Sequence, residues 1–285
     1  MSQVTSTNGR FEFAFGELVY NLSSRTHLMG ILNVTPDSFS DGGKHLLPDQ
    51  AVAHASRMVE EGADFVDVGG ESTRPGSEPV SIEEELRRVI PVIERLAKEL
   101  PIPISIDTYK SRVAEAAMNA GATIINDISG MTFDDEMLNV AARYRATVVI
   151  MHMQGTPKTM QQNPNYEHVT RDVGQFLEKQ VQKARSAGIR QIMVDPGIGF
   201  GKNLQHNLQL IRELGSFRSL GCPILVGPSR KSFIGAILDL PVDQRLEGTA
   251  AAVTACILNG AHVVRVHDVK EMKRVARVAD ALRGT

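Results

Sequence analysis

Acidic, amide, basic and imidazole side chains recur along this chain, each time at the end of a short apolar run. In order they are Asn33, Asp107, Asn126 with Asp127, His152, Asp195, Arg230 with Lys231, and Arg265 with His267. Two longer polar segments stand among them. One is Asn33-Val34-Thr35-Pro36-Asp37-Ser38-Phe39-Ser40-Asp41-Gly42-Gly43, and the other is Gly69-Gly70-Glu71-Ser72-Thr73-Arg74-Pro75-Gly76. Taken singly, each feature has an ordinary explanation. Asp107 and Asp195 could cap the helices that follow them. Asn126 or Asp127 could shape a turn. His152, between Met151 and Met153, could be a hydrogen-bonded packing residue rather than a metal ligand. The glycines of Gly197-Ile198-Gly199-Phe200-Gly201-Lys202 suggest a phosphate loop, but the Walker spacing fails and Asn203 stands where Ser or Thr is required.

Together these residues specify a ligand. Arg74, Arg230, Lys231, Arg265 and His267 gather positive character in a chain of 31 Lys and Arg against 33 Asp and Glu, a net charge of −2. Such a local cluster implies an anionic group, phosphate or diphosphate. Asp107, Asn126 and Asp195 are acceptors that call for N–H donors, which a flat heterocycle with a guanidine-like edge supplies. The ligand so implied carries a nitrogen-rich ring and a phosphorylated arm. The charge balance excludes a broadly basic nucleic-acid surface, and 4 Tyr, 10 Phe and no Trp argue against a base-stacking platform. Two cysteines, Cys222 and Cys256, cannot frame a disulfide scaffold, so a reducing cytoplasmic setting is expected. No signal peptide and no apolar run of membrane-spanning length is read, so no membrane partner is expected.

The elements that position these residues repeat. Candidate strands are His27–Val34, Phe65–Gly70, Pro103–Asp107, Ile124–Ser129, Thr147–Met153, Ile192–Pro196, Pro223–Gly227 and Val263–Asp268. Most are continuously apolar, as strands of a parallel sheet covered on both faces are. Between them lie amphipathic helices. Ser81 and Glu84 read as a capping box before one, and Pro91 is expected to kink or restart that helix. Val169, Val173, Phe176, Leu177, Val181 and Ala184 form the stripe of another. Gly62, Gly121, Gly188 and Gly260 each precede a strand, where a helix C′ residue often needs positive φ. Eight such units in 285 residues leave about 36 residues each, room for one strand, one helix and two loops. The expectation is an α/β fold, a (β/α)8 TIM barrel over residues 27–285, with a doubly wound open sheet as the alternative. Residues 1–26 form an N-terminal segment in which Phe11, Phe13 and Phe15 alternate, suggesting a strand that plugs or flanks the barrel bottom. In such a barrel the polar strand ends form the functional face.

The two long polar segments resemble the signatures of dihydropteroate synthase. So do Ser105-Ile106-Asp107-Thr108, Asn126-Asp127-Ile128-Ser129-Gly130, Met151-His152-Met153, Asp195 to Lys202, Ser229-Arg230-Lys231-Ser232 and Arg265-Val266-His267-Asp268, in order over roughly residues 10–280. The resemblance implies a transferase that joins 6-hydroxymethyl-7,8-dihydropterin diphosphate to p-aminobenzoate, releasing diphosphate and forming 7,8-dihydropteroate for folate biosynthesis. By position, Asp107, Asn126, Asp195 and Lys231 would hold the pterin, with Asp107 and Lys231 the catalytic residues and no general base assigned. Asn33, Thr73, Arg74, Arg265 and His267 would hold the diphosphate, Asn33 helping to place Mg²⁺. Phe39, Pro75, Arg230 and Ser232 would line the p-aminobenzoate pocket. Asp37 and Ser38 would belong to a loop lid. The leaving diphosphate and the weak arylamine nucleophile favour an SN1-like route. The resemblance further implies a homodimer and sulfonamide inhibition, the apolar stripe Ala250–Leu258 being either such an interface or ordinary barrel-facing surface. Two other readings are a non-catalytic pterin-binding paralogue and a pterin-dependent methyltransferase. The first would be expected to lose loop residues that are intact here, and the second has no use for Thr73-Arg74-Pro75-Gly76 or Arg230-Lys231-Ser232.

Overall fold

Runs such as Phe65–Gly69, Thr147–Met151 and Ile192–Asp195 are buried at every position, so neither face of the sheet they build is left to water. The structure, a computed structural model, describes residues 11–35, 46–73 and 76–284. A two-stranded antiparallel hairpin, β1 (Glu12–Phe15) and β2 (Leu18–Asn21), comes first. Eight parallel strands follow: β3 (His27–Asn33), β4 (Phe65–Gly69), β5 (Ile104–Asp107), β6 (Ile124–Asp127), β7 (Thr147–Met151), β8 (Ile192–Asp195), β9 (Leu225–Val226) and β10 (Val263–Val266). Their order is β8-β7-β6-β5-β4-β3-β10-β9. A parallel bridge between Val194 and Ile224 joins the two ends of that sheet. This closure is a barrel, and the open doubly wound alternative falls.

The strands thus stand where the apolar runs place them, most of them shorter at the C-terminal end, while β5 begins one residue later and β9 keeps only Leu225–Val226. Helices α1 (Leu46–Glu60), α2 (Ile82–Glu99), α3 (Ser111–Asn119), α4 (Met137–Tyr144), α5 (Val169–Ser186) and α6 (Leu204–Arg212) follow β3 to β8 in turn. A short α7 (Ser232–Leu238) and α8 (Leu246–Leu258) follow β9, and α9 (Val269–Arg283) follows β10. Gly62, Gly121, Gly188 and Gly260 all take positive φ, between 91° and 111°, where a β-carbon would be strained. Two local expectations at α2 change. Ser81 Oγ does accept from the Glu84 amide, but the Glu84 carboxylate turns to Arg87 and Arg88 instead of completing a capping box. The helix also continues through Pro91 and does not start afresh there. Pro91 is exposed, so the carbonyl its missing N–H leaves unpaired faces solvent.

Alternation along each strand sorts the interior. Val66, Val68, Ile104, Ile106, Ile125, Val148, Ile150, Val194, Val264 and Val266 face the helices and join the large core. The opposite parity faces the barrel axis. At the bottom it supplies Met29, Phe65, Ile124, Val149, Met193, Leu225 and Val263, packed with Phe13, Phe15 and Leu22 of the N-terminal segment. Phe15 meets Phe65 edge-on with ring centroids 5.3 Å apart. Two residues further along the same strands, that parity becomes polar: Asp67, Asn126, Asp195 and Arg265. Register adds a second constraint, pairing Asn33 with Gly69, Gly69 with Asp107, and Asp107 with Asn126 across β3 to β6. A one-residue slip would turn each of these toward the helices. Since Phe65 sits in the bottom layer with no exposure, Phe65→Ala is expected to cost about 3–5 kcal/mol of stability, read as a lower urea midpoint.

Candidate active site

At the centre of the upper barrel lies the Arg265 guanidinium. Its Nε donates to Asp67 Oδ2 at 2.6 Å and its Nη2 to Asp107 Oδ2 at 2.8 Å. Asn126 Nδ2 donates to the same Asp67 oxygen at 3.0 Å. Asp67 is wholly buried and its Oδ1 has no hydrogen-bond partner. The two carboxylates hold Arg265 above even its usual high pKa against the opposing effect of burial. Asp107 is pushed up by burial, with Arg265 working against that rise.

Asp195 closes the next part of the ring. Its Oδ1 accepts from the Gly197 amide at 2.7 Å, so the carboxylate shapes its own loop and caps no helix. Burial raises it to about 6, although the Gly197 amide, Lys231, Lys202 and Arg265 all favour the anion. Lys231 approaches from the loop after β9, its Nζ 3.8 Å from the centre of the Phe200 ring. Burial and Arg265 lower its pKa to about 8, offset in part by Asp195 and Asp107. Gly199 makes room for this: a β-carbon there would come within 2.8 Å of Lys231 Cδ, at a φ of +86°.

The far rim is built from the ends of β9 and β10. Arg230 pairs with Asp268, its Nε 3.0 Å from Oδ2 and its Nη2 on Oδ1. Arg230 itself takes a left-handed φ of 57°, held because its amide donates to Thr249 Oγ1 and Arg245 Nη1 donates to its carbonyl. His267 was grouped with the cations on sequence grounds, and the structure changes that. Ser229 Oγ accepts from the His267 amide and lies 2.9 Å from His267 Nδ1, within hydrogen-bond reach of the ring. Burial, followed by Arg265 and Arg230, lowers the imidazole to about 3. His267 is therefore neutral.

Of the remaining sequence candidates, Asn33 stands beside Gly69: a β-carbon built there would lie 3.7 Å from Asp107 Oδ2 and 3.8 Å from Asn33 Oδ1. Thr73 is half-buried in the loop after β4, and Ser232 is the exposed first residue of α7. Asp37, Ser38, Phe39, Arg74 and Pro75 lie outside the described residues. Asp127 is turned away from the ring, accepting from the Ser129 and Met131 amides. Among the described residues no three His, Cys, Asp or Glu side chains gather as a metal site.

Sequence reasoning missed Asp67 and a second buried network. Lys110 Nζ donates to Glu71 Oε2 at 2.6 Å, Glu85 Oε2 at 2.6 Å and the Val80 carbonyl at 2.8 Å. Glu71 also accepts from the Val80 amide and the Tyr109 hydroxyl. Residues 71 and 80, the two ends of the loop carrying Thr73, are thereby tied together. Both omissions had a signal: Asp67 interrupts a buried apolar strand, and Glu85 falls on the apolar stripe of α2 with Val89 and Ile93.

A chain with carboxylates and an amide turned into a barrel mouth matches a known family model, Pterin binding enzyme, over residues 29–267. It is 50% identical over 270 residues to the dihydropteroate synthase of Synechocystis sp., covering 94% of this chain and 93% of that protein. The chain belongs to the dihydropteroate synthase family. The Yersinia pestis dihydropteroate synthase solved with a sulfonamide drug superposes with a TM-score of 0.91 at 44% identity, covering 96% of this chain and 100% of that one. The Xanthomonas albilineans dihydropteroate synthase solved with 7,8-dihydropteroate gives 0.86 at 41% identity, over 96% and 99%. Family membership accounts for a polar layer that packing alone would not retain. Within this family member, Asp67→Ala leaves Arg265 and Asn126 short of a buried acceptor and is expected to cost about 3–5 kcal/mol of stability, measured by urea denaturation.

Proposed function

We infer that the chain is a transferase that condenses 6-hydroxymethyl-7,8-dihydropterin diphosphate with p-aminobenzoate, giving 7,8-dihydropteroate and diphosphate in folate biosynthesis. The observation that carries this reading is the ring of Asp107, Asn126, Asp195 and Lys231 at the mouth, in a chain half identical to a dihydropteroate synthase over nearly its whole length. Asp195 would accept two N–H bonds from the 2-amino and N3 edge of the pterin, since a carboxylate takes parallel donors well. Lys231 would approach the ring's oxygen and N5 side, and Asn126 would complete the ring contacts. Arg265, His267, Thr73 and Arg74 would receive the diphosphate, His267 as a neutral donor. Phe39, Pro75, Arg230 and Ser232 would line the arylamine pocket, and Asp37 and Ser38 would sit on the covering loop.

Asn33 offers a neutral oxygen, the donor type Mg²⁺ takes alongside water and phosphate oxygens, and few protein ligands are needed for such an ion. Mg²⁺ held there would neutralise charge on the departing diphosphate. Ionisation of the carbon–oxygen bond would precede attack by the weakly nucleophilic amine. Asp107 would stabilise, as the anion, the cation on the pterin methylene, and its bond to Arg265 favours that anion against burial. The amine needs no strong base in such a route, and none is assigned. A cytoplasmic homodimer fits the same reading. α8 is apolar on both faces: Val253, Cys256 and Ile257 point inward while Leu258 is exposed. Among the described residues no helix is long and apolar enough to cross a membrane.

Incubation with the pterin diphosphate, p-aminobenzoate and Mg²⁺ is expected to yield dihydropteroate, detected by chromatography; folded protein that binds pterin but forms no product would refute the synthase reading. A bridging-oxygen ¹⁸O label in the pterin diphosphate is expected to scramble without p-aminobenzoate, and an unscrambled label would count against reversible ionisation. Pterin affinity should also depend on pH. The ligand needs the ionised Asp195, so protonation below about 6 competes with binding. On the acid side of that value affinity should fall about tenfold per pH unit.

A further inference from the structure

Neither the ring nor the rim uses Lys202, yet it is one of the most buried charged residues in the protein, 2% exposed. Its Nζ lies 2.9 Å from the Phe200 carbonyl, 3.3 Å from the His152 carbonyl and 3.1 Å from His152 Nδ1. Those three acceptors match the three N–H bonds of an ammonium. His152 is lowered to about 3, mainly by burial and then by Lys202, so its ring is neutral. Accepting at Nδ1 places its proton on Nε2. No carboxylate forms an ion pair with Lys202 among the described residues, which leaves its charge to act through space. Gly197 shows in which direction. Its amide donates to Asp195, while a β-carbon on it would lie 3.3 Å from Lys202 Nζ and would strike the His152 carbonyl at 1.9 Å. Gly197, at φ +70°, thus lies against both the carboxylate and the buried ammonium. The same lysine fixes the Phe200 carbonyl, and the Phe200 ring lies against the Lys231 ammonium.

We propose that Lys202 is a positioning residue for Asp195. Anchored on His152 and Phe200, it fixes the 196–202 loop behind the carboxylate and supplies a buried positive charge that keeps Asp195 ionised for a ring bearing paired N–H donors. The proposal rests on the pterin-binding reading of Asp195 and deepens it. It also gives a role to His152 and to the glycine-rich run, which the chemistry of the ring leaves unused. Burial lowers Lys202 to about 7, so it is cationic across the acid range in which Asp195 titrates. The other groups facing this pair are few. Lys231 and Arg265 act on Asp195 from the loop after β9 and from β10, and Cys256 of α8 feels its charge. Lys231 opposes the Lys202 charge, Tyr166 presents its ring 5.9 Å from Nζ, and His206 on α6 is lowered by burial and by Lys202.

The test is the affinity for 6-hydroxymethylpterin, followed by its fluorescence between about pH 4.5 and 7.5. It compares the wild type with Lys202→Met, Lys202→Gln and Lys202→Arg, each checked for folding by thermal melting. Both neutral variants are expected to move the acid midpoint up by about one unit, which weakens binding about tenfold on the acid limb. Affinity near neutrality should change much less, and Lys202→Arg should restore the wild-type midpoint. A purely structural lysine would alter melting or overall affinity and leave the midpoint in place. Wild-type midpoints in either folded neutral variant would overturn the proposal, and so would the unfolding of both. A wild type that fails to bind the pterin, or binds it with no acid limb, would instead refute the reading of Asp195 itself.

Discussion

A guanidinium enclosed in a β-barrel has to be neutralised where it stands, and much of the upper interior follows from that. Arg265 cannot be left without counter-charge at 18% side-chain exposure, and two carboxylates from neighbouring strands meet it. Asp67 spends one oxygen on both Arg265 and Asn126, which orients the amide as well as the cation. Asp107, held by the same guanidinium, cannot swing away from the mouth. One cation thus sets the direction of three polar side chains on β4, β5 and β6.

The surrounding groups divide that charge unevenly. Asp195 and Asp107 are pushed toward protonation by burial, and Lys231 and Lys202 toward the free amine. Opposed shifts of this kind mark a site whose groups are desolvated before a ligand arrives, since each would relax to its ordinary value in water. Burial of the ring is maintained by the barrel wall, and its cost is offset by the aliphatic layers around it. A net charge of −2 for the chain conceals this separation, with carboxylates toward β4, β5 and β8 and cations toward β9 and β10.

Much of this was legible in the sequence because a parallel barrel converts position along a strand into position in space. Continuous apolar runs identified the strands, and the polar residue closing each run identified the mouth. Alternation then explains why Asn126 belongs to the ring while its neighbour Asp127 serves a turn, a distinction that composition alone leaves open. The protonation of His267 was not legible, because it depends on burial and on the field of Arg265, both of which arise only when the barrel closes. Asp67 and Lys110 were hidden for a related reason. Their partners, Arg265 for one and Glu71 and Glu85 for the other, are brought to them by closure of the barrel and by the packing of α2.

The aromatic hairpin at the bottom has a consequence for traffic. With Phe13, Phe15 and Leu22 packed under Met29 and Phe65, the described residues close the barrel at its bottom. Whatever rests on Asp195 and Asn126 lies deeper than anything held at Arg230 or Ser232. Among the described residues, the approach to Asp195 and Asn126 therefore runs through the mouth, past the rim that carries Arg230 and Asp268.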